Sequence, residues 1–159
     1  MFIHISFIVA LNYQTEDEQN IINDGKFCDN GGCGFILKPE YLRDHNKKLE
    51  ENSDPWKINI KILSGHFLIG KSGSNNNIIP KVKISIKGHP VDEKSAEGLP
   101  YYQFEIKIPS LAFIEISVTE DSFGDWGMPF GIFCCPITML KAKGVKKLIL
   151  SCLIHTRTL

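Results

Sequence analysis

Val82-Lys83-Ile84-Ser85-Ile86-Lys87 places an apolar side chain at every second position and a polar one between. A period of two sends successive side chains to opposite faces of an extended chain, so this stretch predicts a strand with one buried and one wet face. The rhythm recurs three times. Ile58, Ile60 and Ile62 alternate with Asn59 and Lys61, and Phe104, Ile106 and Ile108 with Glu105 and Lys107. Ile114, Ile116 and Val118 alternate with Glu115, Ser117 and Thr119. Residues 130–137 and 145–154 are two further candidate strands. Half-exposed strands of this kind belong to antiparallel sheets, and their number and the turn residues between them predict a β-sandwich.

Upstream the pattern changes. Residues 44–55 are almost wholly polar and predict a linker. Before them, residues 7–13 form a continuous apolar run with β-branched members, which suits a strand covered on both faces, as in a parallel barrel. Gly25, Gly31, Gly32 and Gly34, with Asn30, predict tight turns that need positive φ. Pro39 is placed to open one helical turn over residues 40–43, since its missing N–H has no partner at that position anyway.

The 159 residues suit one ordinary domain or a small domain with an attached remnant. Eighteen basic and eighteen acidic residues cancel, so no global field draws the chain to nucleic acid or to an anionic bilayer, and membrane attraction must come from a local patch. Five cysteines, at 28, 33, 134, 135 and 152, show neither a C-x-x-C pair nor zinc-ligand spacing, which points to reduced thiols in a cytosolic protein. The apolar start, residues 1–9, lacks a basic leader and a small-residue cleavage site and is shorter than the ~20 residues of a membrane span.

Two segments carry a resemblance. Val9-Ala10-Leu11-Asn12-Tyr13-Gln14-Thr15 is followed by Cys28-Asp29-Asn30-Gly31-Gly32-Cys33-Gly34-Phe35-Ile36-Leu37-Lys38-Pro39-Glu40-Tyr41-Leu42-Arg43. In order and separation they resemble the end of the Y half of the catalytic barrel in phosphoinositide-specific phospholipases C. The later strands resemble the C2-type sandwich that follows that barrel, in Ile58 to Leu68, in Gly88-His89-Pro90-Val91-Asp92, in Phe104 to Ala112 and in Phe113 to Asp121. The likeness covers about residues 7–150 and loosens after 150. It implies a mainly β chain. Residues 1–44 would be a remnant of the TIM-barrel Y half (its last strand and glycine-rich exit loop), 45–56 a polar linker, and 57–159 an incomplete, antiparallel C2-type sandwich.

The family's reaction, as the resemblance implies, is calcium-dependent hydrolysis of phosphatidylinositol bisphosphate to diacylglycerol and inositol trisphosphate in intracellular signalling. Two histidines do the acid–base work and a carboxylate-bound metal stabilises the charge growing on phosphate. Those residues belong to earlier barrel segments, and His4, His45, His66, His89 and His155 match none of them. A single barrel strand closes no barrel, so the chain alone is expected to be inactive and to serve barrel support and membrane orientation. A stand-alone lipid- or protein-binding module and a nonfunctional truncation product are the other readings. The glycine cluster is no nucleotide loop, because Gly34 is followed by Phe35 and not by the Lys that such a loop needs.

Calcium binding by C2-type loops takes six to eight oxygens. Here Ile79 stands where the family's first ligand would be, and Phe123 stands where a third-loop Asp would be. Asp121 and Asp125 remain as a weak pair of metal-ligand candidates, so no tight calcium site is expected. Phe123 and Trp126, with Lys83 and Lys87, are the candidates for contact with a phosphoinositide or anionic membrane surface, at the headgroup depth where aromatics settle. The competing assignment has the aromatics closing the core and the lysines solvating a strand. The location implied is cytoplasmic and peripheral at the membrane, with the rest of the barrel as partner and no nucleic acid.

Overall fold

The computed structural model describes residues 10–14, 18–44, 46–49, 54–66, 68, 79–120 and 131–140. Its elements run α1 (Glu18–Phe27), a 3-10 turn (Cys28–Asn30), α2 (Glu40–Arg43), β1 (Trp56–Lys61), β2 (Pro80–Lys87), β3 (Lys94–Glu97), β4 (Tyr101–Ile106), β5 (Phe113–Glu120) and β6 (Gly131–Pro136). The strands form a two-stranded sheet, β1-β4, and a four-stranded sheet in the order β3-β2-β5-β6. Every strand pair is antiparallel. All four alternating segments are strands. The fifth expected strand lies at β6, and the sixth, residues 145–154, falls outside the described residues.

Alternation fixes which face each strand buries. Tyr102, Phe104 and Ile106 of β4 point inward with Trp56, Ile58 and Ile60 of β1. They meet Ile84 and Ile86 of β2, Ile114 of β5 and Cys135 of β6 in one core, and each fully buried Ile is worth roughly 1.5–3 kcal/mol. Tyr102 carries a polar tip into that core. Its hydroxyl donates to the Val82 carbonyl at 2.8 Å and accepts from the Leu99 N–H at 3.2 Å, tying the two sheets together.

The loop after β2 turns on Gly88, whose φ is 141°. A side chain there would collide with the Leu111 carbonyl, so glycine is the residue that fits. The turn delivers Asp92, 1 % exposed. Its two carboxylate oxygens accept from the Lys107 and Ile108 N–H groups, each at 2.8 Å. The Gly88-His89-Pro90-Val91-Asp92 motif is therefore a latch between the end of β2 and the end of β4.

Sequence rhythm gave no sign of two elements. Lys94–Glu97 pairs with Lys83, Ile84, Ser85 and Ile86 as the edge strand β3, although only Ala96 among its four residues is apolar. Helix α1 is weakly coded, with Asn20, Asn23, Asp24 and Gly25 all poor helix formers. Gly25 thus belongs to a helix and not to the turn expected of it. The other glycines behave as predicted: Gly31, Gly32 and Gly34 have φ of 61°, 75° and 81°. Gly31 and Gly32 donate back to the Cys28 and Phe27 carbonyls, closing the end of the helix. Pro39 precedes the single turn α2 as expected. Of the apolar run at 7–13, residues 10–12 are irregular and Tyr13 enters a turn; residues 7–9 fall outside the described residues.

Candidate functional site

The four-stranded sheet has its core on one face and helix α1 on the other. Antiparallel register sets the outer face in rows. Ser85 of β2 lies opposite Ser95 and Glu115, and Glu115 lies opposite Cys134. One row over, Lys83 lies opposite Glu97 and Ser117. Helix α1 reaches this face through Gly25. A Cβ there would lie 2.8 Å from Cys134 Sγ and 2.9 Å from the Cys134 carbonyl oxygen, so the missing side chain is what lets the helix seat. At the start of the helix Glu18 reaches Lys87 Nζ at 2.7 Å.

Several ionisable groups on and behind this covered face are disturbed. The hydrogen bond that Lys87 donates to Glu18 raises the Lys87 pKa above its usual value, against a smaller lowering by burial, and the charges of Glu18, Glu115 and Glu93 add to the rise. Burial pushes the half-buried Glu115 carboxyl up, while Lys87 and Lys83 pull it back. Cys134, buried and beside Glu115, is pushed up to about 12, and burial takes Cys135 to about 11. These two thiols are protonated at neutral pH and shielded from solvent, whereas Cys28 and Cys33 are exposed. On β2 and β3, Lys81 Nζ sits 2.9 Å from Glu97, whose exposed carboxyl is held below its usual value by that contact.

Of the residues singled out in the sequence, Lys83 and Lys87 lie on this outer face of β2, Lys83 exposed and Lys87 partly covered. Asp121, Phe123, Asp125 and Trp126 lie outside the described residues. Ile79 stands immediately before Pro80, which pairs with Glu120, and is 62 % exposed. A side chain with no oxygen at that end of the sheet does not fit a calcium site. Among the described residues no three His, Cys, Asp or Glu side chains gather in a metal-binding cluster. His66 contacts Ser64 Oγ at 3.0 Å, and His89 Nδ1 accepts from the Val91 N–H at 3.3 Å, both local contacts.

The residues that sequence reasoning missed are Glu18, Gly25, Glu115 and Cys134. Glu115 stands on the polar side of an alternating strand, where the pattern alone predicts exposure; the helix above it, itself weakly coded, makes it half-buried. A second feature sits past the helix. Asp29, Asn30, Phe35, Ile36 and Leu37 line a shallow hollow of about 380 Å³. Phe35 and Leu37 are 70 % and 78 % exposed.

Comparison with known proteins bears on both features. The family described as "Phosphatidylinositol-specific phospholipase C, Y domain" matches residues 6–41, a span that contains α1 and the Phe35–Leu37 strip. The chain is 32% identical over 154 residues to human 1-phosphatidylinositol 4,5-bisphosphate phosphodiesterase delta-1, covering 84% of this chain and 20% of that protein. It is 33% identical over 133 residues to the Caenorhabditis elegans phosphodiesterase gamma plc-3, covering 73% of this chain and 10% of that one. Human inactive phospholipase C-like protein 1 is 28% identical over 151 residues, with 77% and 14% covered. The crystal structure of L. pealei PLC21 superposes with a TM-score of 0.60 at 30% identity, over 82% of this chain and 19% of that chain. The chain thus spans a fifth or less of these relatives, and the aligned part runs from the Y-domain stretch through the sandwich. This chain belongs to the phosphoinositide-specific phospholipase C family, of which it holds the end of the Y domain and the β-sandwich that follows.

Proposed function

We propose that this chain serves as the barrel-end and sandwich portion of a phosphoinositide phospholipase C. The assembled enzyme hydrolyses phosphatidylinositol bisphosphate, and this portion supports the barrel and orients it at a membrane on the cytoplasmic side. One observation carries the reading: α1, inside the Y-domain span, is seated on the sheet through Gly25 and Glu18, so the barrel end and the sandwich form one joint. The exposed Phe35 and Leu37 agree with it, as side chains of the kind the rest of a barrel would cover.

The test pairs two assays. The chain alone should release no inositol phosphate from phosphatidylinositol bisphosphate vesicles above a no-protein control. Fused behind the remainder of the human delta-1 relative, in place of that protein's aligned part, it should restore release. Activity of the chain alone, or a folded fusion with none, overturns the proposal. Calcium belongs to the assembled enzyme on this reading, and binding of calcium by the chain itself is weak. The likeness to an inactive phospholipase C-like protein favours a second reading, a catalytically silent relative with the same support role. The barrel residues encoded alongside this segment decide between the two.

A further inference from the structure

The strip after the glycine-rich turn shows its larger side chains to one side. Phe35 and Leu37 are 70 % and 78 % exposed, while Ile36 between them is partly buried. Both ends of the strip are pinned. The Asn30 side-chain amide donates to the Phe35 carbonyl at 2.9 Å, and Arg43 Nε donates to the Lys38 carbonyl at 2.9 Å. Gly31 and Gly32, closed onto the end of α1, fix where the strip starts. Beside it lies Lys26, in the last turn of α1 and partly buried. Burial lowers its pKa, and the charge of Lys38, the residue after Leu37, lowers it further. Among the described residues its ammonium makes no hydrogen bond or ion pair. Asp29 lines the hollow with Phe35 and Leu37, and Glu40 is taken by Lys47 at 2.6 Å, but neither acts on Lys26. A cation partly out of water and next to another cation is costly until an anion meets it.

We propose that Phe35, Leu37 and Lys26 form the seam with the remaining body of the catalytic barrel, which meets them with apolar side chains and one carboxylate set against the Lys26 ammonium. The inference rests on the barrel-end role proposed above and names the chemistry of the partner surface. All three residues lie within the Y-domain span, residues 6–41, and the matching relatives continue far beyond the fifth or less of their length that this chain spans. The seam leaves α1 seated on the sheet. Gly25 faces β6, and Lys26, one residue on, is turned roughly 100° around the helix. A barrel body suits the patch better than an anionic bilayer, because Asp29 lines the same hollow and would be pressed against lipid phosphate.

The experiment compares the chain alone with the fusion described above, in which it replaces the aligned part of the human delta-1 relative. Hydrogen exchange at the Phe35, Ile36 and Leu37 amides should be at least about tenfold slower in the fusion. The double variant F35S/L37S should leave the melting temperature of the chain alone within about 2 °C, since both sites are exposed, and should lower that of the fusion. Lys26→Met is the sharper variant, because its effect should reverse sign. In the chain alone, losing an uncompensated cation should hold or raise the melting temperature. In the fusion, stranding the facing carboxylate should lower it. Lys61→Met, at an exposed site on β1, should act alike in both proteins. If the fusion hydrolyses phosphatidylinositol bisphosphate but the strip exchanges as fast as in the chain alone, or K26M has one sign in both, the seam is wrong while the barrel-end role stands. The seam is equally wrong if F35S/L37S weakens binding of the chain alone to phosphatidylserine vesicles and leaves the melting of the fusion unchanged. A folded fusion with no activity overturns the barrel-end role, and the seam with it.

Discussion

Asp92 shows at residue scale how a motif can be visible while its work is not. The sequence displayed Gly88-His89-Pro90-Val91-Asp92 as a pattern, yet nothing in it said that the carboxylate would be 1 % exposed and would accept two backbone N–H groups. Removing it takes the carboxylate acceptor from the Lys107 N–H and from the buried Ile108 N–H, so Asp92→Ala should cost about 2–4 kcal/mol in urea unfolding. Asp92→Asn keeps one acceptor and should recover part of that. Equal stability of the three proteins would show that water satisfies the N–H groups instead. Glu115 gives the opposite sign. Burial raises its folded pKa above the ordinary 4.5, so the folded state holds the proton more tightly than the unfolded one. That contribution is present in acid and is lost as pH rises from about 4.5 through the folded value. Glu115→Gln should therefore stabilise at neutral pH, by under ~1 kcal/mol because half the group still meets water, and change little in acid. Thermal melts at pH 4 and pH 7 check both halves of the statement.

At the scale of elements, legibility followed the strength of the local signal. Strands β1, β2, β4 and β5 each alternate over at least five residues, and burial demands that pattern whatever the neighbours are. Strand β3 is short and polar because it lies at an edge, where charge protects against mispairing, so it carries no apolar rhythm to detect. Helix α1 was hidden for a different reason. Its glycine and asparagines lower intrinsic helicity, and what holds it is packing on β6, which only the tertiary fold supplies. This makes Gly25→Ala a sharp test. On propensity alone alanine should stabilise the helix by ~1 kcal/mol. The added Cβ meets Cys134 Sγ at 2.8 Å and its carbonyl at 2.9 Å, so the helix must instead shift off the sheet. Faster hydrogen exchange in α1 and a lower melting temperature are expected; a rise in melting temperature would mean the seam is loose enough to absorb a methyl group.

At the scale of the whole molecule, the sandwich was legible and the joint was not, because the joint depends on a pair of residues far apart in the chain. A variant that begins at Trp56 keeps every described strand but strips the cover from Cys134, now 6 % exposed. That thiol should then react with a bulky disulfide reagent at a rate near that of Cys28 in the intact chain, whereas intact Cys134 should resist. Continued protection of Cys134 in the short variant would mean that the strands alone bury it. The same remote pairing has a bearing on biosynthesis. Gly25 and Cys134 are more than a hundred residues apart, so α1 leaves the ribosome long before its seat on β6 exists. At 5–20 residues per second the wait is roughly 5–20 s. During that interval a poor helix former has no surface to fold against, and the nascent segment would depend on chaperones until β6 arrives.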